Sequence, residues 1–337
     1  MSRRAVRYAS RHGADITRES VELPSNVAEE EIENSSTSAN IFPFTTDKAL
    51  EPSKTIHLFK SCLESILEAP DLQEMIQVVK RDLYNRDYLA AFGSDDNRFA
   101  YVSRWTPARA LSYSSLFSSL HEFQSSLDDP EKEVKALCIG GGASSELVAL
   151  ASVFCRSKEY NSKSNSSLSI DIIDIADWSK VVSTLTTYIK KNWIYNPDKF
   201  STNFIFGDVL DQNANHGINY NQLDLITLLF TTNELFAEKR PETIKLLQLL
   251  NRQCKQGSLL LIAESAGSYS NVMVGSKKFP VQFLVDMILV GKQGANDGDW
   301  EIVEQNESCW YRINQKEVEY PMKLENMRFF YRLYRKK

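Results

Sequence analysis

Long apolar runs are missing from this chain. None approaches the roughly 18 to 20 residues that cross a bilayer, so no membrane partner is expected. Cysteine is scarce and scattered. The five (Cys62, Cys138, Cys155, Cys254, Cys309) form an odd set without paired spacing, which argues against a disulfide framework and for reduced thiols in the nucleus or cytosol. Four histidines (His12, His57, His121, His216) are equally dispersed; no zinc site can be built from neighbouring residues, and no metal is expected. The opening MSRRAVRYASRHGAD lacks the apolar centre of a secretory signal. Its arginines leave a mitochondrial presequence open, an idea weakened by Asp15, Glu19 and Glu22. Net charge is −5, so any contact with nucleic acid must come from local patches rather than general attraction.

What is present is ordinary globular composition, with 42% hydrophobic and 25% charged residues, enough for a sizeable core. Residues 1–48 are polar, with Glu29–Glu33 followed by Ser35, Ser36, Thr37 and Ser38, and read as a mostly disordered arm. Its basic start (Arg3, Arg4, Arg7, Arg11) could touch phosphates, although a solvated tail is the plainer reading. Residues 49–130 read as a helical region. Ile56, Leu58, Phe59, Leu63, Ile66 and Leu67 recur at helical intervals until Pro70, and a second helix covers Leu72–Leu83. After a loop holding Gly93 and Asp95–Asn97, Thr106 and Pro107 resemble the cap and first position of a long helix.

From 131 to 337 the chain alternates strands and helices. Strands are expected at Val134–Ile139, Leu168–Asp174, Asn203–Phe206, Leu223–Phe230 and Ser258–Ala263, with helices at Leu147–Phe154, Trp178–Asn192, Thr243–Cys254 and Val281–Leu289. Strands apolar along their whole length suit a parallel sheet covered on both faces, an α/β fold. The aromatic stretches Trp300–Val303, Trp310–Ile313 and Arg328–Tyr334 predict antiparallel pairing at the sheet edge.

The most telling segment is Glu133–Glu146, EVKALCIGGGASSE: an apolar strand, the glycines Gly140, Gly141 and Gly142, then a helix. Such a turn brings bare backbone beside a positive helix end and suits a nucleotide-like cofactor. A P-loop is excluded because no Lys-Ser/Thr pair follows Gly142. A dinucleotide fingerprint is weakened by Ser145 in place of its third glycine. The pattern of S-adenosylmethionine enzymes fits better, although Cys138 stands at its usual acid and Ser144 at its last glycine. Asp174 lies 34 residues after Gly140. Without the 12-residue polar insertion Arg156–Ser167 the spacing becomes 22, close to the customary value of about 20 for a ribose-binding acid. Asp208, in Phe206-Gly207-Asp208-Val209, stands where an acid can meet the adenine amino group. The alternatives are that Asp174 caps the next helix and that Asp208 sits in a turn.

The segments CIGGGASSELVALA, DIADW, DLITLLFTTNELF, ESAGSYS and YPMKLENMRFFYRLY resemble a group of eukaryotic S-adenosylmethionine-dependent methyltransferases, over roughly residues 100–337. The group includes fungal enzymes that methylate N3 of a uridine in large-subunit (25S) ribosomal RNA. The resemblance implies a class I, Rossmann-like fold whose seven-stranded sheet ends in an antiparallel pair. It also implies S-adenosylmethionine as cofactor and ribosomal RNA or a pre-ribosomal particle as partner, in the nucleus, nucleolus or cytoplasm. Ile175, Val209 and Phe230 complete the expected cofactor set.

Uracil N3 is weakly acidic, so its methylation calls for proton removal. At the end of the fourth strand, Glu234 is the candidate base, Asn233 and Thr232 would orient the substrate, and Phe230 or Phe236 could stack on it. The alternative is that Asn233 and Glu234 cap a helix. Methylation at pyrimidine C5 would need a cysteine that this loop lacks, and the Asp/Asn-Pro-Pro-aromatic run of amine methylation is absent. Tyr269, in the turn Glu264–Ser270, could stack on a base, although a plain turn explains the segment equally well. Arg104, near Trp105 and Arg109, is the candidate contact to a phosphate or to the cofactor carboxylate. Arg328, Arg332, Arg335, Lys336 and Lys337, interleaved with aromatics, could bind RNA backbone, although edge packing explains the aromatics as well. Two other readings stay open: a methyltransferase for a protein or small molecule, and a non-catalytic ribosome-assembly module.

Overall fold

The computed structural model describes residues 40–337 apart from 159–163, 212, 268–270, 275–276, 293 and 296. A short strand β1 (Ile41–Phe42) precedes six helices: α1 (Pro52–Cys62), α2 (Glu64–Leu67), α3 (Leu72–Tyr84), α4 (Tyr88–Ala91), α5 (Asp95–Ser119) and α6 (His121–Asp128). The alternating part follows with β2 (Glu133–Ile139), α7 (Ser145–Lys158), β3 (Ser167–Asp174), α8 (Ser179–Asn192), β4 (Phe200–Phe206), β5 (Leu225–Leu229), α9 (Thr232–Glu238) and α10 (Arg240–Gln253). The chain closes with β6 (Leu259–Ser265), a hairpin of β7 (Asn271–Val274) and β8 (Lys277–Pro280), α11 (Val281–Leu289), β9 (Trp300–Tyr311) and β10 (Met327–Lys336).

The main sheet runs β1-β9-β10-β6-β5-β2-β3-β4. Strands β2 to β6 are mutually parallel, and β10 lies antiparallel between β6 and β9. This is the α/β arrangement of class I methyltransferases. All five residues of β5 are buried, as a strand covered by helices on both faces requires. The two faces carry separate cores. On one, Val102, Leu111 and Phe117 of α5 and Leu147, Leu150 and Val153 of α7 pack onto the sheet. On the other, Leu246, Leu247 and Leu250 of α10 join Val281, Val285 and Leu289 of α11.

Three expectations are corrected. The sheet has eight strands rather than seven, because Ile41 and Phe42, within the polar stretch 1–48, pair in parallel with Trp310 and Tyr311. Two residues are too few to show a period, but Phe42 stacks on Phe329 with ring centroids 5.9 Å apart, and aromatic packing fixes it. Residues 1–39 of that stretch lie outside the described residues. Secondly, Trp300–Val303 and Trp310–Ile313 are not two strands: β9 is one strand of 12 residues, its pairing with β10 shifted in register at two places. Thirdly, α5 does not begin at Thr106. It begins at Asp95, capped by the Ser94 hydroxyl accepting from Asn97 N at 3.1 Å, and passes through Pro107. The Thr106 hydroxyl donates instead to the carbonyl of Ala143 at 3.1 Å, tying α5 to the glycine turn.

Candidate active site

The chain leaves β2 toward β3 on one side and later returns to β5 on the other, so the carboxyl ends of β2 and β5 form the topological switch point, the usual crevice for a ligand. A cavity of about 380 Å³ opens there. The sheet side supplies Gly140, Asp174, Ile175, Asp208, Val209 and Phe230; the helical region supplies a roof of Leu83, Tyr88, Phe92, Tyr101 and Arg109. Among the ionisable groups of the wall, the carboxyls of Asp174, Asp208, Glu234 and Glu238 outnumber the cations Arg109 and Lys239. Such a wall repels a pyrophosphate and suits a cationic ligand.

The glycine turn is shaped chiefly by its protein neighbours. Gly140 has φ +72°, and a Cβ on it would lie 2.6 Å from the side chain of Thr231. A Cβ on Gly142 would lie 2.0 Å from the Trp178 ring. Ser144 adopts φ +68°, the left-handed conformation in which glycine is at ease, so its backbone takes the turn although the residue is not glycine. Its hydroxyl donates to the carbonyl of Gly142 at 3.1 Å, which helps to hold that conformation.

Asp174 ends β3 beneath this turn. Its Oδ2 accepts from Gly142 N at 3.0 Å and its Oδ1 from Ala176 N at 3.1 Å. Burial raises its pKa, opposed by those N–H groups. A carboxylate offers about four lone pairs, and the Ile175 N–H and Trp178 ring also act on this one; its place on the cavity wall still lets it accept from a ligand hydroxyl. Asp208 accepts from Leu210 N at 2.9 Å and from Lys239 Nζ at 2.7 Å. Ile175, 46% exposed, presents an apolar side chain at the rim.

Glu234 stands in the first turn of α9 and faces the cavity. Its Oε2 is buried without a hydrogen-bond partner among the described residues, and burial raises its pKa, opposed by Arg86. Asn233 does not line the cavity. Its backbone N donates to Glu264 Oε1 and its Nδ2 to Glu264 Oε2, both at 2.9 Å, so this acid at the end of β6 caps α9 and fixes the loop before it. Burial pushes Glu264 up to about 8. Thr232 is buried and does not line the cavity.

Several expected contacts fall elsewhere. Arg104 is bound to the carboxylate of Glu325 and donates to the carbonyl of Lys323 at 3.3 Å, outside the cavity. Five residues along a helix turn the side chain by about 140°, so Arg109 reaches the cavity instead, bonded to the hydroxyl of Tyr101. Phe236 is 1% exposed within the core and cannot stack on a substrate, whereas Phe230 lines the cavity at φ +57°. Tyr269 lies outside the described residues. Arg332 and Arg335 are engaged by Glu307 and Glu301, and Tyr331 and Tyr334 are buried, so much of the C-terminal basic-aromatic strand, which lies inside the sheet, is core packing.

Residues not foreseen at the site are Arg109's partner Tyr101, the neighbours Phe92 and Trp178, and the ion pair from Lys239. Phe92 packs against Trp178 at 4.8 Å and against Tyr101 at 5.0 Å, forming an aromatic wall from the end of α4, the start of α8 and the body of α5. The only sequence signal was Trp178 at the end of DIADW. Glu146, the carboxylate after the glycines, is buried under the turn; desolvation pushes it up to about 8, opposed by Arg109. Among the described residues no group of three or more His, Cys, Asp or Glu side chains could hold a metal ion.

Residues 59–335 match the family described as "Putative SAM-dependent methyltransferase". The chain is 48% identical over 322 residues, 87% of its own length and 87% of the relative's, to the 25S rRNA (uridine(2843)-N(3))-methyltransferase of Saccharomyces cerevisiae. Solved structures similar to it include the N-methyltransferase NodS of Bradyrhizobium japonicum WM9 in complex with S-adenosyl-L-homocysteine, at 14% identity, 78% coverage of this chain and 98% of that one, and TM-score 0.37. Another is a protein of Pyrococcus horikoshii OT3, at 11% identity, 75% and 98% coverage, and TM-score 0.38. With a glycine turn, two strand-end acids and an electronegative cavity at the switch point, and with the family match spanning most of its length, the chain belongs to the S-adenosylmethionine-dependent methyltransferases.

Proposed function

We propose that this protein methylates N3 of a uridine in large-subunit ribosomal RNA, free or within a pre-ribosomal particle, in the nucleolus, nucleus or cytoplasm. The observation that carries the reading is the convergence of Asp174, Asp208 and Glu234 on one cavity, in a chain nearly half identical to a uridine-N3 methyltransferase over 87% of its length. S-adenosylmethionine supplies the electrophilic methyl group. In this reading the turn Gly140, Gly141 and Gly142 would hold its amino-acid end through Gly140, which alone of the three lines the cavity; Asp174 would accept from the ribose hydroxyls and Asp208 from the adenine amino group. Ile175 and Val209 would bracket the adenine, and Phe230 would wall the reacting centre.

Glu234 is the base. The proton on N3 must leave for the nitrogen lone pair to attack, and an acceptor works best with a pKa lifted toward that of its donor. Partial burial lifts Glu234 in that direction. Asn233 acts as a positioning residue, because its amide and backbone N bind Glu264 and so hold the first turn of α9 against the cavity.

The test is incubation of the purified protein with methyl-labelled S-adenosylmethionine and large-subunit ribosomal RNA, followed by digestion to nucleosides. Label in 3-methyluridine is expected. Label in any other nucleoside, or none in RNA presented both free and in particles, would overturn the reading.

A further inference from the structure

A second cavity, of about 640 Å³, lies at the opposite end of the sheet. Ser164 and Ser166 on its wall immediately precede β3, and Lys199 immediately precedes β4. Asp174 and Asp208 follow the far ends of the same strands, and the length of β3 separates the two sites by about 23 Å.

The wall is basic. Lys54, Lys158, Lys191 and Lys199 line it, and among the described residues no Asp or Glu side chain does. Two of these lysines are held by main-chain carbonyls rather than carboxylates. Lys158 Nζ donates to Asp128 O at 2.8 Å and Asp129 O at 3.1 Å, and Lys199 Nζ donates to Asn165 O at 3.0 Å. Such bonds position a charge without neutralising it. Lys191 is exposed at the end of α8. The carboxyl ends of α7 and α8 meet here, and each contributes about half a negative charge. Lys54 aside, Lys158 also feels the Asp128 and Asp129 carboxylates; Lys191 and Lys199 still place two positive charges against about one negative charge of the helix ends, in a chain whose net charge is −5.

The same wall carries aromatic rings. Trp193 and Tyr195 lie on the loop after α8, and Tyr195 is 91% exposed, a position in which a large ring gains nothing from the core. Lysines for phosphates beside an exposed ring for a base are the equipment of a single-strand RNA site. A duplex offers no unstacked base to such a ring.

We propose that this cavity is a second RNA-binding site, which takes backbone phosphates of a single-stranded segment flanking the target nucleotide and stacks one of its bases on Tyr195. The proposal rests on RNA being the substrate.

The experiment is fluorescence anisotropy of the full-length protein with a fluorescein-labelled oligouridylate of about 15 nucleotides, between roughly 50 and 200 mM salt. The variants are Lys191→Ala with Lys199→Ala, Lys191→Arg with Lys199→Arg, and Tyr195→Ala; calorimetric binding of S-adenosylhomocysteine serves as the check on folding. The alanine pair should weaken binding about tenfold and reduce the salt slope by about 1.4, at about 0.7 for each phosphate that is no longer neutralised. The arginine pair should bind as the wild type does. Tyr195→Ala should weaken binding severalfold with the slope unchanged, and cofactor binding should be the same throughout. If the wild type binds RNA and the alanine pair binds equally with the same slope, the proposal is overturned while the RNA reading survives. If the wild type binds no RNA at any salt, both fall.

Discussion

The hydroxyl of Tyr320 donates to the main-chain carbonyl of Ser103 at 2.7 Å. That carbonyl is the one orphaned by Pro107, which has no N–H to return to the residue four positions earlier. Ser103 is fully buried, so without Tyr320 an acceptor would be left unpaired in the core. The bond lets α5 continue through a proline in its interior, and the continuous helix carries both Tyr101 and Arg109 to the roof of the cavity at the switch point. A residue from the approach to the last strand thereby supports the roof of a site built at the other strands' ends.

Tyr320→Phe should therefore lower stability by about 1–3 kcal/mol, the cost of an unsatisfied buried carbonyl. Urea titration followed by circular dichroism reads the shift in midpoint. An unchanged midpoint would mean that the Ser103 carbonyl finds another donor and that Tyr320 is not what sustains the helix.

The glycine turn, the strand-end acids and the alternation from β2 to β6 were legible because each depends on local pattern: apolar runs, a triple glycine, and an acid at the end of a run. What depended on distant partners was not legible. Thr106-Pro107 has the local form of a helix start, and only Tyr320, more than 200 residues away, lets the helix run on past it. With the helix start misplaced, nothing in the sequence distinguished Arg104 from Arg109 as the arginine facing the cavity. Asn233 resembled a substrate contact because its partner Glu264 lies on another strand. The strand pairing of Ile41 and Phe42 has no local signature at all, since it follows from the rings of Phe329 and Tyr331 beneath Phe42.

Asp174→Asn should weaken S-adenosylhomocysteine binding about tenfold to a hundredfold, because hydrogen bonds to a charged acceptor contribute roughly 1.5–3 kcal/mol. The amide can still accept one of the two backbone N–H groups now bonded at 3.0 and 3.1 Å, so the fold should persist. Isothermal calorimetry with a circular dichroism control makes the measurement. Unaltered affinity in a folded variant would remove Asp174 from the cofactor site.

Glu146 and Glu264 give stability an unusual pH dependence. Both ordinarily titrate near 4.5, and burial pushes both up to about 8 in the fold. Between those values the folded protein keeps protons that the unfolded chain has released, so these two groups destabilise the fold progressively as pH rises from about 4.5 to 8. Below that window they contribute nothing; above it their penalty is complete. Glu146→Gln removes one of the two titrations, so the variant's stability relative to wild type should increase with pH across the window. Urea midpoints at several pH values test this, and parallel curves would show that Glu146 ionises normally in the fold.

The base is the sharpest point of the mechanism to examine. Glu234→Gln keeps the size and polarity of the side chain at the cavity wall but cannot take a proton from N3. Turnover of RNA substrate should fall by about 10²–10⁴, the usual contribution of a positioned base, while S-adenosylhomocysteine binds as before. The pH profile separates this role from a structural one. Burial raises the Glu234 pKa, so wild-type turnover should decline as pH falls through that elevated value and the base becomes protonated. In Glu234→Gln that acid limb should vanish, and the residual rate should rise with pH as N3 ionises unaided. A variant that is slower but keeps the wild-type acid limb would mean that another group takes the proton and that Glu234 only shapes the cavity.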